Sequence, residues 1–358
     1  HAQALTPTQV AAEANFLRTL YPEIPSVTIG SQVWATSNCE MVATPRGNLI
    51  ASVTENANVE KITNAADRGF SSDTGFWTKG GDATINGGTA NLIYNTSAGE
   101  LIRLNSLIVG KWYKFTYDIL SNNGGSLNFA SVEGNINSTI GNSKVIYFYA
   151  VTTYINLKNV TASTTIIVDN VSVQEVGWSG STELYDAIYA QTAGTDEQKT
   201  YAGVKAAAMW CYYNNDVALG STYGKLYNWY AVKLLQMDID YYNAANPATP
   251  WGWRVPIDTD FNTLATALGG ASVAGGKMKA LFADFNNVYA NNSSGLSIIN
   301  SGFRRSNGVF GKDYTRIWST IERDITNSYI IQCDPTSTTI LLFYANKSIG
   351  YTFRLIKN

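Results

Sequence analysis

The spacing of hydrophobic positions changes along the chain and marks out three kinds of segment. Near the start, Val10, Ala14, Leu17 and Tyr21 recur at helical spacing on one face. Thr6-Pro7-Thr8-Gln9 precedes them with a capping threonine, a proline at the first helical position and a glutamine at capping-box spacing; Pro22 ends the run. This predicts a short N-terminal helix within residues 1–25. A helix of about 14 residues is marginal in water. Its apolar stripe therefore needs a partner, either the body of the chain or further copies forming the stem of an oligomeric fibre.

After Pro25 the period shortens to two. Alternating segments at Thr89–Tyr94, Leu101–Val109, Trp112–Ile119, Lys144–Tyr149 and Thr164–Val173 read as strands. Turn clusters such as Ser121-Asn122-Asn123-Gly124-Gly125 separate them, and residues 69–176 form a self-contained all-β unit of the length of a β-sandwich. From Gly177 the character changes again. Glu183–Ala190 and the alanine-rich Asp196–Trp210 are compatible with helices, and dense aromatic and glycine signals run from there to the C-terminus.

Composition narrows the chemistry. Only 15% of the 358 residues are charged, against roughly a quarter in ordinary globular proteins, so the surface rests on Asn, Thr, Ser, Gly and Tyr. The only histidine is His1, which leaves no Ser-His-Asp or Cys-His arrangement and no histidine-based metal cluster in the body. A net charge of −2 with 25 Lys and Arg is not the basic footprint of a nucleic-acid binder. No apolar run approaches the ~20 residues of a membrane-spanning helix, so neither nucleic acid nor membrane insertion is expected. The first residue is not methionine, which suggests a mature, trimmed or tagged chain. Cys39, Cys211 and Cys333 lie far apart, form no CxxC pair and read as small buried hydrophobes. Glycoside hydrolysis needs only two carboxylates, but nothing marks a pair among the 27 Asp and Glu. Gly269-Gly270 and Gly275-Gly276 lack the Lys-Ser/Thr of a phosphate loop and read as loop punctuation.

Two resemblances organise these segments. Gly110-Lys111-Trp112-Tyr113-Lys114-Phe115-Thr116-Tyr117-Asp118 and Thr165-Ile166-Ile167-Val168-Asp169-Asn170-Val171-Ser172-Val173 resemble jelly-roll domains of the carbohydrate-binding-module type. The flanks carry the second. Val27-Thr28-Ile29-Gly30-Ser31-Gln32-Val33-Trp34 opens a pattern that continues in Ala208-Met209-Trp210-Cys211-Tyr212 and Tyr223-Gly224-Lys225-Leu226-Tyr227-Asn228-Trp229. Gly252-Trp253-Arg254-Val255-Pro256, Ser301-Gly302-Phe303-Arg304, Trp318-Ser319-Thr320 and Gly350-Tyr351-Thr352-Phe353-Arg354 complete it. In this order the blocks resemble the Fibrobacter succinogenes major paralogous (FISUMP) domain, common in secreted and phage proteins of Bacteroidetes, with a C-type-lectin-like fold.

The resemblance implies an α+β chain: a C-type-lectin-like domain over 26–68 and 177–358, interrupted by a jelly-roll sandwich over 69–176, after a short N-terminal helix. Trp210, Trp229, Trp253 and Trp318 then serve as fold-holding anchors, and Arg254 and Arg304 as stacked donors to loop carbonyls. The calcium-dependent sugar motif of such folds (Glu-Pro-Asn or Gln-Pro-Asp, then Trp-Asn-Asp) is missing.

Segments between the blocks are the candidates for recognition. Arg305, Ser306, Asp313, Tyr314 and Arg316, then Glu322, Arg323, Asp324 and Asn327, have the mixture of a binding loop, with Tyr and Arg as anchors and Asn and Ser as adaptable donors. In the sandwich, Asp169 matches a position that holds a structural calcium in related modules, or is a plain surface aspartate. Trp77, Trp112, Tyr113 and Tyr117 are candidates for an aromatic sugar platform, although alternation turns half of any strand toward the core.

The expectation is a non-enzymatic bacteriophage fibre or receptor-binding protein, on the virion surface or otherwise extracellular. It would recognise a host-surface glycan or protein, as a homotrimer with other virion proteins as partners and no cofactor beyond that calcium. The alternatives are a Bacteroidetes surface or secreted adhesin, with or without diversification by a retroelement, and third a glycan-degrading enzyme.

Overall fold

The computed structural model describes residues 24–132, 134–281 and 287–358. The expected stem helix lies outside them. The described chain is mixed α and β and divides into two compact units: Ala57–Gly180, and a discontinuous unit of the residues up to Asn56 with Ser181–Asn358.

The continuous unit is a two-layer antiparallel sandwich. One sheet runs Asn135–Ile136, Leu127–Phe129, Ile155–Asn159, Glu100–Arg103, Thr78–Gly80. The other runs Gly141–Tyr149, Trp112–Asn122, Thr164–Glu175, Thr89–Tyr94, Thr84–Asn86, with Val59–Glu60 added beside Thr164–Glu175. Their inner faces share one core: Phe115 of the second sheet stacks on Phe129 of the first at 4.5 Å between centroids. The boundary expected at residue 68 lies nearer 56. Val59–Glu60 joins the sandwich ladder and the fully buried Ile62 joins its core, so residues 57–68 belong with the sandwich. Leu101–Val109 is not one strand. It pairs only through Arg103, and Leu104, Ile108 and Val109 are exposed beyond it.

Sandwich alternation also settles the proposed aromatic platform. Tyr113, Phe115, Tyr117 and Ile119 all point inward along Trp112–Asn122 and are fully buried, and Trp77 is buried with its Nε1 donating to the Asp67 carbonyl at 3.0 Å. Three of the four candidate rings are therefore core, because period two puts residues 113 and 117 on the same side. Trp112 remains on the outer face, edge-on to Tyr149.

In the discontinuous unit, Ser26–Ile29, Gln32–Ala35, Ile356–Lys357 and Trp253–Arg254 form one sheet in that order, so the opening hairpin meets the last strand through Gln32–Ala35, with Trp34 opposite Ile356. The expected helices occur as Ser181–Gln191 and Asp196–Ala207, the second started by a Thr195/Gln198 capping box. The second ends three residues earlier than read, since Met209–Tyr212 becomes a strand paired with Lys225–Tyr227. The central helix, Trp229–Ala245, buries nine residues on several faces. Such a helix carries no clean amphipathic stripe, which is why its aromatic sequence does not announce it. Asn228 caps it and, itself fully buried, also donates to the Ala207 carbonyl at 2.7 Å and accepts from the Met209 amide at 3.0 Å. Gly275 and Gly276 are inside a helix, Ala271–Met278, contrary to their reading as loop punctuation. A Cβ on Gly275 would lie 2.8 Å from the Thr338 and Thr339 carbonyls, so glycine there permits close packing rather than a turn.

The tryptophan anchors behave as expected in three cases. The Nε1 groups of Trp210, Trp229 and Trp318 donate to the carbonyls of Ile50, Ser319 and Tyr227 at 2.9–3.0 Å. Trp253 stays half-buried. Arg304 is buried under Phe310 and donates to the Val53 and Thr54 carbonyls at 2.7 and 2.9 Å. Arg254 departs from expectation, because its fork is taken bidentately by the Asp260 carboxylate at 2.5 and 2.8 Å. Arg354 is also fully buried. It donates to Asn38 and to the carbonyls of Ala35, Leu296 and Ser297, and burial pulls its pKa down to about 9.

Candidate functional site

Three backbone segments meet to make a cleft in the discontinuous unit. The hairpin Phe303–Arg304/Phe310–Gly311 forms one wall, and the start of strand Thr315–Glu322 forms another. The closing segment runs between them, bridging Arg304 to Gly350 and Ile317 to Thr352. Ile349 and Tyr351 are thereby set beside Phe303, Arg305, Asp313, Tyr314 and Arg316, around a volume of ≈ 280 Å³.

Arg316 organises the cleft. Its guanidinium lies within 5.0–5.5 Å of the ring centroids of Tyr314, Phe303 and Tyr351. Its Nε donates to Gln332 at 2.8 Å and its Nη1 to the Tyr351 hydroxyl at 3.1 Å. A planar cation held by three rings and two hydrogen bonds loses little further freedom when a ligand arrives. Burial raises the Tyr351 hydroxyl above its ordinary pKa, with Arg316 and Arg305 pulling against that rise, so it stays protonated. Arg305 is exposed at the rim with its guanidinium 5.6 Å from the Phe303 ring centroid. Asp313 is exposed on the same rim and forms no ion pair among the described residues.

Of the nine residues read from sequence, four therefore line one cleft: Arg305, Asp313, Tyr314 and Arg316. Ser306 is exposed in the hairpin turn and is not part of the wall. Glu322, Arg323, Asp324 and Asn327 gather at the far end of strand Thr315–Glu322, under ~20 Å away at about 3.3 Å per residue. They are engaged with neighbours there. Asp324 accepts from the Thr326 and Asn327 amides at 2.9 and 2.8 Å and from both of their side chains, which holds its carboxyl down at about 2. Glu322 pairs with Lys347 at 3.0 Å, and Arg323 stacks on Tyr344 at 3.3 Å. Sequence reading treated Phe303 and Tyr351 purely as fold motif and missed Ile349 and Gln332. Adjacency of Phe303 to Arg305 was the only local signal.

Elsewhere, Asp169 lies opposite Asp118 on the neighbouring strand. Burial first, then the Asp118 charge, raise its pKa. Asp118 already accepts from the Ser143 amide and the Asn170 side chain, at 2.6 and 2.8 Å. Among the described residues no group of three or more His, Cys, Asp or Glu side chains converges, and calcium takes six to eight oxygens. A second, mostly apolar cavity of ≈ 250 Å³ lies among Ile24, Pro25, Met41, Trp251 and Cys39. Burial pushes the Cys39 and Cys333 thiols up to about 12 and Cys211 to about 11. All three are free and buried, so none is a nucleophile. No described helix is long and apolar enough to cross a membrane.

No curated protein matches the chain. Among solved structures it is similar to a mutant family 29 carbohydrate-binding module, made to probe ligand recognition. The two share 9% identity over 29% of this chain and 84% of that one, with a TM-score of 0.21. A family 29 module from Piromyces equi is similar at 13% identity, over 35% of this chain and 89% of that one, with a TM-score of 0.21. A CBM4 structure follows at 15%, 35% and 99%, with a TM-score of 0.18. With TM-scores this low, the sandwich rests on its own strand register and shared core. The model of the Fibrobacter succinogenes major domain matches residues 178–357, half of the chain and almost all of the segment that builds the cleft. The chain belongs to the Fibrobacter succinogenes major domain family.

Proposed function

We propose that this chain is a non-catalytic recognition protein exposed outside the cell, a bacteriophage fibre or receptor-binding component that holds a host-surface glycan or protein in the Arg316 cleft. The supporting observation is the cleft itself: aromatic walls, a cation fixed before any ligand binds and polar groups at the rim. That combination suits recognition. Its lining holds one carboxylate, Asp313, where glycoside hydrolysis uses two. We read the discontinuous unit as C-type-lectin-like, a reading supported by the pairing of its second strand, Gln32–Ala35, with its closing strand. Residues 1–25 act as a trimerising stem in this reading, and avidity raises a weak single-site affinity.

Two alanine variants test the site by glycan array and host-cell binding: Arg305/Tyr314/Arg316 in the cleft, and Glu322/Arg323/Asp324 at the distant turn. The cleft variant is expected to lose binding and the turn variant to keep it. The reverse result, or unchanged binding by both, overturns the assignment. Mass photometry with and without residues 1–25 tests the stem; a monomer in both cases refutes it. A bacterial adhesin fits the same cleft, and capsid and tail genes beside the coding sequence decide for the virion.

A further inference from the structure

The cleft has a charge character that the proposed recognition role does not require. Arg305 and Arg316 both face it, and neither meets a carboxylate within ion-pair distance among the described residues. Arg316 spends two of its five N–H donors on Gln332 and Tyr351. The Arg305 guanidinium has no protein acceptor among the described residues and only the Phe303 ring beneath it. The one acid on the wall, Asp313, neutralises neither. Two forks of unfilled donors on one small concavity match an oxyanion.

Taking the cleft as the recognition site, we infer that its ligand is an acidic sugar whose carboxylate or sulfate is held by Arg305 and Arg316. The rest of the lining fits the sugar. Asp313 is an unpaired acceptor at the rim for ring hydroxyls, Tyr314 and Ile349 offer apolar surface to a ring face, and ≈ 280 Å³ suits about one residue of a polysaccharide. An acidic peptide would also satisfy the arginines, but a glutamate side chain brings no hydroxyl donor to offset the Asp313 carboxylate.

The experiment is biolayer interferometry on the full chain at 50 and 500 mM NaCl. The probes are an oligogalacturonate, a dextran sulfate oligosaccharide, a neutral dextran oligosaccharide and a poly-glutamate peptide of similar length. At least one acidic saccharide should bind ten-fold or more tighter than the neutral one, and weaken several-fold at the higher salt. Arg305→Gln and Arg316→Gln should each cost that saccharide at least five-fold; Arg305 is exposed, so its variant keeps the fold. Binding of the galacturonate alone or the sulfate alone supports the inference and names the group. Equal binding of neutral and acidic saccharides overturns it and leaves the glycan reading standing. Preference for poly-glutamate also overturns it, in favour of a peptide. Failure of every saccharide, neutral or acidic, overturns the glycan reading along with it.

Discussion

Replacing Arg304 by methionine tests how this loop-rich fold is held together. The side chain is buried, and its guanidinium joins the hairpin beside the cleft to the carbonyls of Val53 and Thr54, some 250 positions earlier. Methionine keeps an apolar stem against Phe310 and removes both donations. Hydrogen bonds from a charged donor contribute about 1.5–3 kcal/mol each, so two amount to about 3–6 kcal/mol. No longer burying a charge works the other way by about 1–2 kcal/mol, leaving a net loss of about 1–5 kcal/mol. For a unit of this size each kcal/mol moves Tm by about 2–4 °C, so Arg304→Met should lower the transition of the discontinuous unit by about 2–20 °C in calorimetry. Arg304→Lys should recover only part of this, since an ammonium cannot span two carbonyls as a fork does. Cleft affinity should fall in parallel, because Phe303 and Arg305 flank the clamp. A Tm change under 2 °C for the methionine variant would show that the clamp is not what holds the hairpin.

Three further outcomes follow from packing and charge. Gly275→Ala should destabilise by about 1–3 kcal/mol although alanine favours helix, because its Cβ meets fixed backbone carbonyls. Gly276→Ala, whose nearest obstacle is the movable Thr338 methyl, should cost less; the opposite order in urea unfolding would refute this. The three thiols have folded pKa values raised above their unfolded values, so the unfolded chain loses those protons first and stability falls as pH rises from about 9 toward 11. Each thiol contributes a slope of about 1.4 kcal/mol per pH unit there. A Cys39/Cys211/Cys333→Ala variant should show a flatter fall, and rapid labelling of the native protein by a thiol reagent would contradict the burial. Asp169, whose folded pKa is also raised, should likewise lower stability as pH climbs through the carboxylate range, and Asp169→Asn should raise the Tm of the sandwich at pH 7. If calcium raises the wild-type Tm and Asp169→Asn abolishes that gain, the two carboxylates hold a cation instead.

Legibility varied with how local each cause was. Strand Thr89–Tyr94 and the start of Trp112–Asn122 read straight from alternation, because a sheet with one buried face imposes period two on its residues. Thr195/Gln198 likewise marked its helix start through a local exchange of hydrogen bonds. Trp229–Ala245 did not read as a helix, because neighbours cover several of its faces. The Gly275-Gly276 pair misled for a related reason: what glycine accommodates there is a distant carbonyl. Residues 57–68 went to the wrong unit because two-residue strands such as Val59–Glu60 have no period to detect.

The same distinction separates the candidate residues. Sequence alone established the family blocks that follow residue 177, the all-β unit ahead of them, the scarcity of charge, and Arg305, Asp313, Tyr314 and Arg316 as candidates for recognition. Only tertiary structure parted those four from Glu322, Arg323, Asp324 and Asn327, which gather around one turn away from the cleft and contact Lys347, Tyr344 and one another there. It also brought Ile349 and Tyr351 from the closing segment to the arginines. Composition and spacing record which groups are present; whether a donor is spent or left open depends on contacts between residues dozens of positions apart, and folding alone supplies those.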